Sequence, residues 1–332
     1  MENKKYLSID EQIVLLKSKK LLFKSEKKAK EILNRIGYYK LINAYKIPFM
    51  KYEDETHVYM DNIYFEDIYN LYMFDRELKA IVFESSTSIE INFKACISDV
   101  ISNKYGIKEK DYLKKENFSL DTGVENEYTF RNMQTHINNE IKKQLDNEQP
   151  AIKWYDEQYG YFPFWVVVNI LTIGSISRIY GKMKEEDQII VAKNYKLPKE
   201  YISAYIKHIN LIRNICAHND VLYRYKSINS IPQKIKNVKE KYIDLGIQIN
   251  HKTGRFNIGT NDFLASIIIF KLMLSKEDYN NFKTRLKGAL HKLEKKLSSE
   301  NYDIVLNEMG LINEGERLKL DLLDKKIEKV KS

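Results

Sequence analysis

Three features of this sequence predict an all-α fold. Helix breakers are scarce, with only 5 Pro and 12 Gly in 332 residues, and either residue weakens a helix interior. Apolar residues recur at spacings of three and four over long stretches, the period of an amphipathic helix. The alternation expected of a half-buried strand is confined to one short piece, His57-Val58-Tyr59-Met60.

Taken in order, the elements follow from local signals. Ser8-Ile9-Asp10-Glu11 has the form of a capping box ahead of the apolar run Ile13-Val14-Leu15-Leu16. A second helix is expected over Glu26 to Ile36, stopping at Gly37. Residues 50–62 are polar and read as a loop or a short strand. Phe65 to Tyr105 contains no Pro or Gly. Ile68, Leu71, Tyr72, Asp75, Leu78, Val82, Ser85 and Ile89 fall on one stripe of the long helix this predicts. Asp75 and Glu90 lie on or near its apolar side, and Gly106 is the expected stop. Residues 107–150 are polar and read as an inserted lobe, with Gly123 in a turn and a helix around 126–146. Phe164 to Gly174 is β-branched, but its Pro163 start and helical surroundings favour a buried helix, with the next over Ser175 to Lys182. Pro198 opens a helix to about Ala217, with Ile202, Tyr205, Ile206, Ile209, Ile212 and Cys216 as its core stripe. Residues 227–260 are basic and turn-rich. Helices return over Asp262 to Leu274 and Lys276 to Leu297, before a tail around Met309-Gly310-Leu311. The expected organisation is an N-terminal helical segment (1–62), a core (63–226) carrying the lobe, and a C-terminal helical region (227–332).

Composition narrows the functional classes. The net charge of +9 favours polyanionic partners. The 24 Tyr either stack on unpaired bases or fill helix interfaces. Cys96 and Cys216, the only two cysteines, make neither a disulfide framework nor a four-ligand zinc site. The start of the chain has no signal-peptide pattern, and the most apolar run, Phe162 to Ile173, is too short to span a bilayer. A cytoplasmic protein with no cofactor, no metal and no membrane partner is therefore expected.

The chemistry concentrates in Arg213-Asn214-Ile215-Cys216-Ala217-His218. A helix that otherwise reads as buried has little reason to hold a guanidinium, a carboxamide and an imidazole, because each costs free energy unless partnered. Asn214 and His218 are four apart and share a face. Arg213 lies about 100° around the axis. Attack of a ribose 2′-hydroxyl on its neighbouring phosphate needs a base, an acid and positive charge, which His and Arg supply. One motif carries one His, so two motifs facing each other in a homodimer would complete the site. The bland alternative is an Arg and a His that cap a helix end or pair with acids.

Arg213-Asn214 with His218 four residues further on resembles the R-(N/D/H)-x(4–6)-H signature of the HEPN superfamily. Read as "RNxxAH", it is similar to the abortive-infection (Abi) family, in its AbiD/AbiF branch. Further blocks resemble that family in the right order: Gly37-Tyr38-Tyr39-Lys40-Leu41 with Pro48-Phe49, Tyr72 through Leu78 with Ile89-Glu90, Pro163-Phe164-Trp165 through Gly174-Ser175, and Met309-Gly310. Lys79 and Lys94 depart from it, standing where the family often has Arg, and the usual Pro after the last block is missing. The resemblance implies a HEPN-like helical bundle and an anti-phage endoribonuclease toxin that works without metal, controlled by a small structured RNA. Arg213, Asn214 and His218 would be catalytic, with Asp75, Arg76 and Glu90 supporting them or forming an internal ion pair. Lys40, Lys94, Tyr223 and Arg224 are candidate RNA contacts. Lysine clusters at 17–30, 234–241 and 283–296 either line an RNA path or form solvated helix faces. Cys216 reads as a core residue and not a nucleophile, and His57, His136, His208, His251 and His291 form no constellation. The alternative function is a binding module that sequesters RNA without cutting it; an adaptor that senses a phage protein is a third reading.

Overall fold

A computed structural model describes residues 6–53, 56–119, 124–250 and 252–324. Its organising element is the long helix expected from the unbroken pattern after residue 64. The N-terminal segment leads into it. Helix α1 (Ile9–Ser18) opens with the expected capping box, in which Ser8 and Glu11 satisfy each other's backbone N–H groups. Helix α2 (Glu26–Ile36) stops at Gly37, whose φ of +86° suits a residue without a Cβ. A π-helical turn (Tyr39–Asn43) and a 3₁₀ turn (Ile47–Phe49) follow. The polar stretch read as a loop or short strand is a hairpin, with β1 (Met50–Glu53) antiparallel to β2 (Thr56–Tyr59).

Helix α3 (Phe65–Tyr105) is 41 residues long, about 60 Å at 1.5 Å per residue. It ends at Gly106, φ +90°. Buried side chains run along its whole length because it packs in turn against α7, α8, α9, α10 and α13, defined below. The lobe comprises a short α4 (Glu109–Tyr112), α5 (Val124–Asp146) and α6 (Pro150–Tyr159). It is tied to the body where Tyr112 Oη donates to the Phe162 carbonyl at 2.8 Å. Gly123 and His251 lie outside the described residues.

The apolar segment after Pro163 is helical, but not in one piece. Helix α7 (Phe164–Ile170) stops, and α8 (Ile173–Lys182) starts two residues before the expected Ser175. Thr172 is extended (φ −72°, ψ 156°) and its side chain accepts the Ser175 N–H, so a capped restart replaces a continuous helix. Helix α9 (Glu185–Lys193) follows, and α10 (Lys199–Ala217) begins after Pro198 as predicted.

The turn-rich stretch contains helix α11 (Lys236–Asp244) and a two-residue pair, β3 (Ile249–Asn250) with β4 (Arg255–Phe256). Helices α12 (Phe263–Met273), α13 (Lys276–Glu294) and α14 (Ser299–Glu308) complete the bundle, with a last pair β5 (Ile312–Asn313) and β6 (Glu316–Arg317) and a 3₁₀ turn (Leu320–Asp324). The fold is all-α, with only these minor strand pairs among the described residues. No helix among them is long and apolar enough to cross a membrane.

Packing of α13 along α3 gives part of the third lysine cluster acidic partners, as a solvated helix face would have. Arg285 pairs with Glu84 and Lys292 with Glu77 (2.7 Å), both on α3, and Lys287 pairs with Asp321 (2.6 Å). In the first cluster Lys17 pairs with Glu26, Lys20 with Glu53 and Lys30 with Asp10. These are surface ion pairs between neighbouring elements, each contributing about 0–1 kcal/mol.

Candidate functional site

The motif closes α10. His218 is the C-cap, and its N–H donates to the Asn214 carbonyl at 2.9 Å. Asn219 then takes a left-handed conformation, φ +56°, which Asn tolerates better than most residues. The chain turns away from the helix axis, leaving the His218 side chain exposed. Its imidazole makes no hydrogen bond or ion pair with any described residue.

The turn beyond His218 is held from below by a buried carboxylate. Asp75 on α3 is fully buried. Its oxygens accept the N–H groups of Tyr223 (2.7 Å) and Leu222 (3.2 and 3.3 Å) and the Tyr45 hydroxyl (2.7 Å). Lys79, one helical turn on, sits 3.2 Å from Asp75 and donates to the Asp220 carbonyl at 3.2 Å. Lys40 donates to the Asn219 carbonyl. Two lysines and one aspartate thus occupy the backbone groups of residues 219–223. An uncompensated buried carboxylate would be costly; here hydrogen bonds and an ammonium surround it.

Arg213 faces the other side of α10's end. Its guanidinium lies over the Phe83 ring, 5.4 Å from the centroid, and its Nε is 3.9 Å from Glu90. That separation is an ion pair but too long for a hydrogen bond, and Nε has no hydrogen-bond partner. Glu90 is better matched to Lys94, at 2.8 Å. Arg76, Phe83 and Glu90 are spaced by seven and share a stripe of α3, so Arg76 belongs to the same face. It is exposed and makes no ion pair among the described residues. Asn214 is half-buried on the last turn of α10.

The structure therefore divides the candidates. Asp75, Lys40 and the unexpected Lys79 and Tyr45 position the turn. Arg213, Glu90, Lys94 and Arg76 form a charged strip on α3 and α10, and His218 and Asn214 occupy the helix end. Arg224 is half-buried, next to Tyr223 in the chain. Tyr223 departs from its expected place at an RNA surface. Its ring is fully buried and stacks on Tyr45 at 6.1 Å, so neither face is open to a base. Burial pushes the Cys216 thiol up to about 12, with nearby Asp75 adding to the effect. It is a protonated, inert thiol at neutral pH. His208 is buried against Ser266 (Nε2 to Oγ, 2.8 Å), and His136 contacts Ser175. No group of three or more His, Cys, Asp or Glu with metal-binding geometry occurs among the described residues.

Lys79 had a sequence signal, since it is four residues from a carboxylate on the apolar side of a helix. Tyr45 had none, because its partner is 30 positions away.

Neither a curated protein nor a solved structure matches this chain. The sequence pattern described as Abi-like protein matches residues 31–224. That span covers more than half of the 332 residues. It runs from α2 through α3 and α10 to the end of the Asp75-held turn, taking in all of the candidate site. On that match, the chain belongs to the Abi-like protein family.

Proposed function

We propose that this protein is a metal-independent endoribonuclease of the HEPN type, a toxin of the AbiD/AbiF branch. The family supports a bacterial abortive-infection role. One observation carries the finer reading: an exposed His218, unpartnered among the described residues, closes a helix end whose following turn is held by buried groups, five residues after an Arg213 whose Nε makes no hydrogen bond among them. Arg213 would bind the scissile phosphate and the charge developing on it. Asn214 would orient the substrate or the imidazole, and His218 would transfer the proton. One chain offers one imidazole, so the active form is a homodimer in which two motifs face each other and serve as acid and base. Lys94, Arg76 and Arg224 would contact the RNA backbone near the cut, and a small structured RNA would hold the toxin in check in the cytoplasm.

The test is cleavage of labelled RNA by the purified protein in EDTA. Wild type is expected to cut and leave 2′,3′-cyclic phosphate ends. His218→Ala should lose about 10²- to 10⁴-fold in rate, the range for a general acid or base. Arg213→Lys should be about as impaired as Arg213→Ala, because Lys keeps the charge but lacks the planar fork. Equal toxicity and equal cleavage by a folded His218→Ala protein would overturn the reading. Tight RNA binding without cleavage by any form would favour the sequestering module instead.

A further inference from the structure

A second site lies on the other end of α10. A cavity of about 590 Å³ opens between α5, α8 and α10. Its apolar lining is the half-buried Met133, with the buried Ile137 and Ile179 behind it. The rest carries three cations, Arg178, Lys182 and Lys207, with His136 beside them. No Asp or Glu among the described residues lines it. Arg178 and Lys207 are exposed and pair with no carboxylate among the described residues. Arg178 and Lys207, set in a concave, partly apolar site, raise the local positive potential and favour an anion.

The polar groups are also pre-set. Ser175, buried at the start of α8, is a hub. Its Oγ lies 2.8 Å from His136 Nε2, 3.0 Å from Thr172 Oγ1 and 3.4 Å from Arg178 Nη2. The imidazole of α5 and the guanidinium of α8 are thus anchored to one atom, which lowers the ordering cost of binding. A bare phosphate would leave the apolar lining unused, and an apolar ligand would leave the cations unmatched. A flat ring joined to a phosphate uses both. We propose that this cavity binds a nucleoside monophosphate unit, with the base against Met133 and the phosphate between Arg178 and Lys207.

That unit has two sources, a free nucleotide or one residue of an RNA strand. The cavity and the motif share a helix. Lys207 precedes Asn214 by seven residues, about 10 Å of helix, and Gly174 of α8 packs against Asn210, where an added Cβ would stand 3.5 Å from Nδ2. The inference concerns binding and stands whether or not the motif cuts.

The experiment is calorimetric titration of the full-length protein, freed of nucleic acid, with AMP, adenosine, inorganic phosphate and a short single-stranded RNA. The RNA arm uses the His218→Ala protein to prevent cleavage. AMP is expected to bind more tightly than adenosine or phosphate, and Arg178→Ala/Lys207→Ala to weaken it at least tenfold. Both residues are exposed, and matching circular dichroism and melting would show that the double variant folds. If AMP fails to bind but the double variant loses tenfold in RNA affinity, the unit comes from a strand. If neither ligand responds to the double variant, or if AMP binds no better than phosphate, the assignment is wrong.

Discussion

Asp75 shows how much one side chain can fix. Its carboxylate accepts from two successive backbone N–H groups and a tyrosine while facing an ammonium. Removing one partner of such a buried set leaves the others unmatched. Asp75→Ala should cost about 3–5 kcal/mol, read by chemical denaturation. Asp75→Asn keeps the size but replaces one acceptor with a donor pointed at other donors, so it too should destabilise the fold. If either variant unfolded at the wild-type midpoint, residues 219–223 would have to be held by something else. The His218 side chain, by contrast, has no partner among the described residues, and its replacement by Ala should leave stability within about 0.5 kcal/mol of wild type.

At the scale of elements, the break between α7 and α8 rests on Thr172. Its hydroxyl accepts the Ser175 N–H at 3.1 Å, and losing such a cap costs about 1 kcal/mol. Thr172→Ala should lower stability by that amount and loosen Ser175, which is measurable as faster amide exchange in the first turn of α8. Unchanged exchange there would show that packing alone sets the restart. Helices with strong local punctuation were legible in the sequence. Ser8 with Glu11, Gly37, Gly106 and Pro198 each mark a boundary where the structure has one. The α7–α8 break was not, because a Thr inside a β-branched run is compatible with either a continuous helix or a cap. Helix α9 had only its acidic first turn, Glu185, Glu186 and Asp187, as a local signal. Its buried Asp187 is held by Lys104 and Tyr105, 83 and 82 positions earlier. The motif itself could be read from six residues, whereas the carboxylate that holds the following turn acts across 147 positions.

The whole molecule should carry a pH dependence centred on His208. Burial lowers its imidazole from the usual 6.5 to about 4. Between those values the unfolded chain takes up a proton that the folded chain refuses. This contribution is therefore fully present above pH 6.5 and falls away toward pH 4, by about 3 kcal/mol in total. Burial raises Asp67, Glu109 and Asp262 above the ordinary carboxylate range. Those groups favour protonation in the folded state and act in the opposite sense as pH falls. Comparing wild type with His208→Gln isolates the imidazole, since Gln retains a donor for Ser266. Melting temperatures from pH 7.5 to 4.5 should fall less steeply for the variant. Parallel curves would mean that His208 is protonated in the fold at its ordinary value.

The contacts beneath the motif also set a sequence of events. Lys79 reaches Asp220, Asp75 reaches Leu222 and Lys40 reaches Asn219 across 141, 147 and 179 positions. A ribosome delivers those partners in a fixed order: the clamp first, and the turn it grips long afterwards. A nascent chain that already displays Arg213 still lacks the backbone groups at 219–223 that Lys40, Asp75 and Lys79 hold. On the proposed reading, a translation product that stops short of residue 223 is a harmless one.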